Sequence, residues 1–343
     1  MHPTVLALLL PVSALSAALI LFGGFVWVHG VSPWDVWLTL FKGAFGDWFS
    51  FQNTLSRAAP LMLTALCVAL PARAGLIIIG GEGAVVLGGL ACAVTPLLLP
   101  MPQSMLGTLL ISLSGVLMGA LWIMLAGVLR QYRGINETIS SLLLAYVAIG
   151  LFKHFVEGPL RDPASLGKPS TPSLPQEMLI GTIPGSDVHW GLVLGIALCL
   201  LFGTWLHWTR SGFATRLVGG NIRAAQLAGV PANRIILVSC ALGGGCAGLA
   251  GAVEVAAVHT SANAALIASY GYAGILVSFM ARHHPVAIIP VAILFGGFGA
   301  AGSLLQRRLD LPDASVLVLQ GLAFVMILAS EAVRYRLKAR YGH

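Results

Sequence analysis

The chain has 343 residues, of which 57% are apolar and only 9% charged, with a formal net charge of +7. Soluble domains carry about 25% charged residues, so a water-facing surface cannot be built from this composition and lipid must be the main solvent. The basic residues sit mostly between apolar runs, where they act as topology signals, which argues against a nucleic-acid partner.

About 20 residues cross a hydrocarbon core as a helix, and a helix satisfies its own backbone hydrogen bonds there. On that criterion spans are predicted over residues 5–28, 57–72, 75–98, 103–129, 138–156, 189–208, 232–256, 270–281, 285–303 and 313–332. The second and eighth are short. The first lacks a basic leader and is longer than a signal-peptide core, so it reads as a retained helix. The pattern implies an all-α polytopic membrane protein, a single transmembrane domain over residues 1–343, with about ten transmembrane helices.

Three polar stretches interrupt it. Residues 29–56 carry Trp34, Trp37 and Trp48 among polar side chains, as expected for an outer interfacial segment. Residues 157–188 hold six prolines and four serines and read as an irregular outer loop. Residues 209–231 form the longest polar connection on the inner side. With the N-terminus inside, the cytoplasmic connections hold 12 basic residues (Arg73, Arg130, Arg133, Arg210, Arg216, Arg223, Arg234, Arg282, Arg334, Arg336, Lys338, Arg340) and the outer ones 7. That bias puts both termini in the cytoplasm, with Arg307-Arg308 a local exception outside.

In the 209–231 connection Gly219-Gly220 are expected to break the chain. Asn221 is a good N-cap for a short helix from Ile222 to Leu227, ended by Ala228-Gly229. Ala224, Ala225 and Ala228 allow close approach to a partner, and Arg216 and Arg223 can pair with acidic groups there. From these residues alone, a docking helix and a plain interfacial loop are equally supported.

Glu82 lies in the apolar, Gly-rich GGEGAVVLGG, where an ionisable group is costly and suggests either a place on a solute pathway or an interhelical hydrogen bond. Asn136 and Glu137 begin a span, where capping and the helix dipole explain them more readily than solute contact. Gln320, mid-span, fits either role. The five cysteines lie in apolar runs and read as packing residues, not disulfides. GGGCAGLAGA and GGFGAAGS read as close helix packing. His283-His284 have no further metal ligands nearby in sequence, so no metal site is expected. No P-loop occurs: Gly167-Lys168 lacks the upstream glycine and following Ser/Thr.

The segment SGFATRLVGGNIRAAQLAGV resembles the coupling-helix region of permease subunits of bacterial ABC importers. RAAPLMLTALCVALPARAGLIIIGGEGAVVLGGL, RGINETISSLLLAYVA, YGYAGILVSFMARHHPVAIIPVAILFGGFGAAGSLLQ and VLVLQGLAFVMILASE resemble further segments of one family, in order, over residues 35–332. That family includes the ribose-type, branched-chain amino acid and nucleoside permeases, and the resemblance is nearest to the nucleoside and simple-sugar type. Ile79, Ala84 and Ala145 depart from it, standing where Asn, Gln and Asn are usual.

The resemblance implies a vitamin-B12-importer-like (type II) bundle in a bacterial inner membrane. It implies ABC ATPase subunits that hydrolyse the ATP, a second permease subunit, identical or paralogous, and an outer binding protein or lipoprotein. No cofactor of the chain's own is implied. Coupling to the ATPase would fall to Arg216, Gly219, Asn221, Arg223, Ala224, Ala225, Ala228 and Gly229, and the translocation pathway to Glu82, Asn136, Glu137 and Gln320. The expected cargo is a nucleoside or related small solute, with a simple sugar or branched-chain amino acid as alternatives. An ion-coupled secondary transporter would need more intramembrane acids than Glu82 and Glu254. A membrane enzyme would need polar clusters that the spans lack.

Overall fold

The structure is a computed structural model that describes residues 3–341 apart from 101, 103, 166 and 313; side chains are described over 12–333 apart from those and 331. The described residues form α1 (Pro3–Val28), α2 (Pro33–Phe45), α3 (Trp48–Arg73), α4 (Gly81–Leu98), α5 (Met105–Arg133), α6 (Glu137–Glu157), α7 (Gly191–Trp208), α8 (Arg210–Gly220), α9 (Ile222–Leu227), α10 (Ala232–Val253), α11 (Tyr270–Met280), α12 (Pro285–Leu309) and α13 (Ala314–Tyr341). A π-helical turn, Glu254–His259, prolongs α10. No strand occurs among the described residues, only two isolated bridges. Among the described residues, seven helices are long and apolar enough to cross a membrane: α3 to α7, α10 with its π turn, and α12. Shorter apolar stretches cover Val12–Val28, Ala264–Met280 and Ala314–Ser330.

The helices group into two compact units, residues 1–57 with 293–343, and residues 58–292. In the first, α1 packs on α13 and α2. Residues 29–56 are divided between two helices. α2 ends at Phe45, and Asp47 starts α3 by accepting the Ser50 N–H at 2.7 Å. The Thr54 hydroxyl donates to the Ala44 carbonyl at 2.7 Å, so the polar run 48–56 is absorbed as the first turns of α3.

The second unit is built on α4, α5 and α10, which pack together extensively. A Cβ on Gly248 would lie 2.1 Å from the Gly115 carbonyl oxygen, and one on Gly119 would lie 2.4 Å from that of Gly244. Only glycine permits these backbones to approach so closely, as the small-residue runs predicted. The span expected from residue 75 begins later, at Gly81. Gly75, at φ +87°, turns the chain after α3, and the following irregular stretch is tied to α6, with Ile79 N–H donating to Ser141 Oγ at 3.1 Å.

This unit has two distinct ends. Residues of the 157–188 connection lie over the π turn and the segment after it: Ile180 N–H donates to Ala256 O at 2.9 Å, Leu174 N–H to Thr260 O at 2.8 Å and Thr171 N–H to Ala262 O at 3.0 Å. At the other end meet the close of α3, the α5–α6 turn, α8, α9, the start of α10 and the α11–α12 turn.

Candidate functional site

The second end carries the residues singled out for coupling. Thr209 caps α8, its hydroxyl accepting the Gly212 N–H at 3.0 Å. The connection 209–220 is therefore helical, where a polar loop was expected. Gly219 and Gly220 are the last residues of α8, and the break falls at Asn221, whose backbone is extended. The Asn221 side chain accepts the Ala224 N–H at 3.1 Å and starts α9. Val230 N–H donates to Ala225 O and Gly229 N–H to Gln226 O, both at 3.0 Å, a Schellman closure that needs the left-handed Gly229 at φ +77°.

α9 has one inward residue. Ala225 is fully buried with Val218, Ala74, Leu76, Ala232 and Ile236. It therefore cannot contribute to an outward small-residue face, and the expectation that it touches a partner is corrected to a role as anchor. Arg216, Gly219, Asn221, Arg223, Ala224, Ala228 and Gly229 are exposed. So is Leu227, at 91%, which sequence reasoning missed. The available signal was an apolar side chain on a six-residue helix in a polar connection.

α8 is seated against the end of α3. A Cβ on Gly219 would lie 2.2 Å from the Arg73 carbonyl oxygen, so the two backbones touch. The Arg73 guanidinium continues the contact: Nε donates to His283 O at 2.8 Å and Nη2 to Arg282 O at 3.3 Å. Both acceptors belong to residues at positive φ, 52° and 54°, in the α11–α12 turn. His284, in the same turn, lies 5.1 Å from His207 of α7, ring to ring. Burial, then the neighbouring His207 and Arg73, push the His284 imidazole below its ordinary pKa. Arg73 was read only as a topology charge; no sequence signal tied it to a turn some two hundred residues away.

Glu82 is fully buried in the first turn of α4. Its Oε1 accepts the Ser269 N–H at 2.9 Å and its Oε2 the Gly271 N–H at 2.7 Å. It thus supplies the start of α11 with the acceptors that its first N–H groups lack. Asn136 caps α6, accepting from Thr138 N–H at 2.9 Å and Ile139 N–H at 3.1 Å. Glu137 pairs with Arg130 at 3.2 Å. Gln131 and Asn233 join the α5 end to the α10 start. Gln320 is half-buried in α13 and belongs to the other unit. The structure therefore brings Glu82, Arg73 and the α8–α9 residues into one run of contacts and gives Asn136 and Glu137 local structural partners.

Residues 50–329 match the family described as branched-chain amino acid transport system / permease component. The chain belongs to that family. The permease is 32% identical to the glucose ABC transporter permease protein TsgB13 of Haloferax volcanii, over 97% of this chain and 90% of that one. It is 25% identical to the guanosine ABC transporter permease protein NupP of Bacillus subtilis, over 96% and 95% of the two chains. To the nucleoside ABC transporter permease protein NupB of Lactococcus lactis it is 26% identical, over 84% and 81%. It is therefore a multi-pass membrane permease subunit of an ABC importer, a transporter component and not an ATPase, that works with ATPase and substrate-binding components.

Proposed function

We propose that the permease moves a nucleoside or related small polar solute inward by alternating access, with α9 receiving the movement of the ATPase. The observation that carries the coupling role is the build of α9: one buried anchor, Ala225, with Arg223 and Leu227 turned outward. Leu227 offers apolar area and Arg223 a charge to a groove on the ATPase, while Arg216, Gly219, Asn221, Ala224, Ala228 and Gly229 shape and surround the contact. Gly219 passes displacement to Arg73, and Arg73 to the α11–α12 turn. α11 in turn is held at its start by Glu82, which serves the pathway by fixing that helix. Gln320, and less directly Asn136 and Glu137, complete the proposed pathway set.

Charge supports the orientation. Of 11 basic residues between 58 and 292, eight (Arg73, Arg130, Arg133, Arg210, Arg216, Arg223, Arg234, Arg282) belong to the α9 end and three (Lys153, Arg161, Lys168) do not. That end is taken as cytoplasmic, with 157–188 outside and both termini inside a bacterial plasma membrane. The seven long helices and three shorter apolar stretches are compatible with ten spans, and the fold with a type II bundle. The whole chain would act as one permease domain, beside a second copy or a paralogue, two ATPase subunits and an outer binding protein or lipoprotein. It needs no cofactor of its own.

The guanosine and nucleoside permeases favour a nucleoside cargo. The glucose permease of Haloferax volcanii favours a simple sugar as the second reading. Uptake of labelled guanosine and of labelled glucose into vesicles holding the permease with its ATPase and binding protein tests both. ATP-dependent guanosine uptake supports the first; uptake driven by an ion gradient with no ATPase present overturns the importer mechanism.

A further inference from the structure

The first unit carries a cleft of about 300 Å³ between the end of α2, the start of α3 and the last turns of α12. Lys42, Arg307 and Arg308 line it, with Ser50, Asn53 and Ser303 as further hydrogen-bonding groups. Among the described residues, no carboxylate lies within ion-pair distance of the three cations. The one acid in the lining, Asp47, accepts the Ser50 N–H at 2.7 Å and keeps its negative charge, one against three. Gly43 lets α2 close on α12 beneath the cleft, since its Cβ would lie 2.8 Å from the Ala301 Cα. Three cations against the single carboxylate of Asp47 leave the concavity with a net positive charge, and Arg307, whose Nε donates to the Ser303 carbonyl at 3.2 Å, keeps its other guanidinium N–H groups for a ligand; such a site suits an anion of several oxygens.

Depth selects the source of the anion. The cleft lies where two apolar helices, α1 and α3, are joined by α2, and where α12 ends. Phe49 lines it and is 70% exposed; Trp48 beside it is 62% exposed. Trp34, Phe41 and Phe45 of α2 are exposed as well. Exposed aromatic rings at the ends of apolar helices sit at head-group level, where amphipathic rings are favoured. A soluble anion needs no such ring belt, and a lipid does.

We propose that the Lys42–Arg307–Arg308 cleft binds the phosphate-bearing head group of an anionic phospholipid, with the aromatic residues of α2 and α3 against its acyl region. The site is independent of the coupling role of α9 and of the cargo.

The test uses the full-length permease, purified in detergent, depleted of lipid and titrated with phosphatidylglycerol or phosphatidylcholine under native mass spectrometry. Wild type retains phosphatidylglycerol in preference. R308Q lowers that retention about fivefold and K42Q/R307Q/R308Q more than about tenfold, as expected for cations each attracting an anionic head group. The charge-matched K153Q/R161Q/K168Q keeps the wild-type preference. Should the triple variant fail to fold, R308Q alone decides. Equal retention of the two lipids in wild type overturns the proposal. So does displacement of phosphatidylglycerol by millimolar inorganic phosphate, which would make this a soluble-anion site. Unchanged lipid preference in the variants, with lost capture of an acidic binding protein, overturns it in favour of a protein interface.

Discussion

Glu82 and Gly271 lie almost two hundred residues apart, yet the Oε2 of one accepts the backbone N–H of the other at 2.7 Å. The Glu82 Oε1 takes the Ser269 N–H at 2.9 Å, so one buried carboxylate closes the start of α11. A Cβ on Gly271 would lie 2.1 Å from the Glu82 nitrogen, which leaves no room for a side chain or a water between the two backbones. Both carboxylate oxygens of this intramembrane acid are engaged by the start of α11. Glu82→Ala should cost several kcal/mol, because hydrogen bonds to charged groups contribute about 1.5–3 kcal/mol each. Glu82→Gln keeps one acceptor but turns an amide NH2 towards the other N–H. It should also lower the thermal midpoint while leaving the uptake KM near wild type. A changed KM with unaltered stability would mean that Glu82 touches solute.

Arg73 links α3 to the carbonyls of Arg282 and His283. Arg73→Met removes both donors and should leave ATP hydrolysis in the reconstituted complex while lowering uptake by about tenfold or more, the scale of one charge-assisted hydrogen bond. Arg73→Lys, a point charge without the planar fork, should fall between. Parallel assays of hydrolysis and uptake measure the coupling; equal loss of both would make Arg73 a stability residue.

Substitutions on α9 should divide by the face they fall on. Arg223→Glu with Leu227→Asp alters only exposed positions and should weaken ATPase association by about 2 kcal/mol or more, leaving folding intact. Ala225→Trp puts a large ring into a fully buried site. It should lower expression and thermal stability of the isolated permease. Co-purification and thermal melts distinguish the two.

His284 gives a pH dependence with a definite sign. Its folded-state pKa lies below the ordinary value of 6.5. The neutral form therefore belongs to the folded state, and its contribution is complete above that ordinary value. It is lost as pH falls through the depressed one. Hydrogen-exchange protection over residues 281–284, corrected for the intrinsic pH dependence of amide exchange, should fall in wild type as pH drops below that ordinary value. In His284→Gln that fall should be absent.

Gly248 and Gly220 form a contrasting pair. Gly248→Leu forces α10 away from α5 and should abolish a stable fold, since its Cβ alone would meet the Gly115 oxygen at 2.1 Å. Nothing lies within 4 Å of a Cβ on Gly220, in the last turn of α8. Gly220→Ala should be neutral or raise stability by about 0.5–1 kcal/mol through helix propensity. Thermal melts in detergent read both.

Composition and periodicity alone determined the membrane-embedded helical class, the approximate positions of the apolar helices, the Asn221 and Asn136 caps and the Gly229 stop. These depend on local rules: a span needs a run of apolar residues, a cap needs one side-chain oxygen at the first turn, and a left-handed stop needs a residue without Cβ. The start of α3 inside the polar-aromatic stretch 29–56 was not legible, because it depends on a cap at Asp47 and on the hydroxyl of Thr54 reaching Ala44. The helical fold of 209–220 was not read from the sequence, where Gly219-Gly220 stood as a break; its signal is the local cap at Thr209. Only the tertiary structure could decide that Ala225 faces inward, that Arg73 holds the α11–α12 turn and that Glu82 serves α11. Each of those depends on which backbone N–H, carbonyl or apolar wall from a distant segment stands within a few ångströms, and chain order carries no record of that distance.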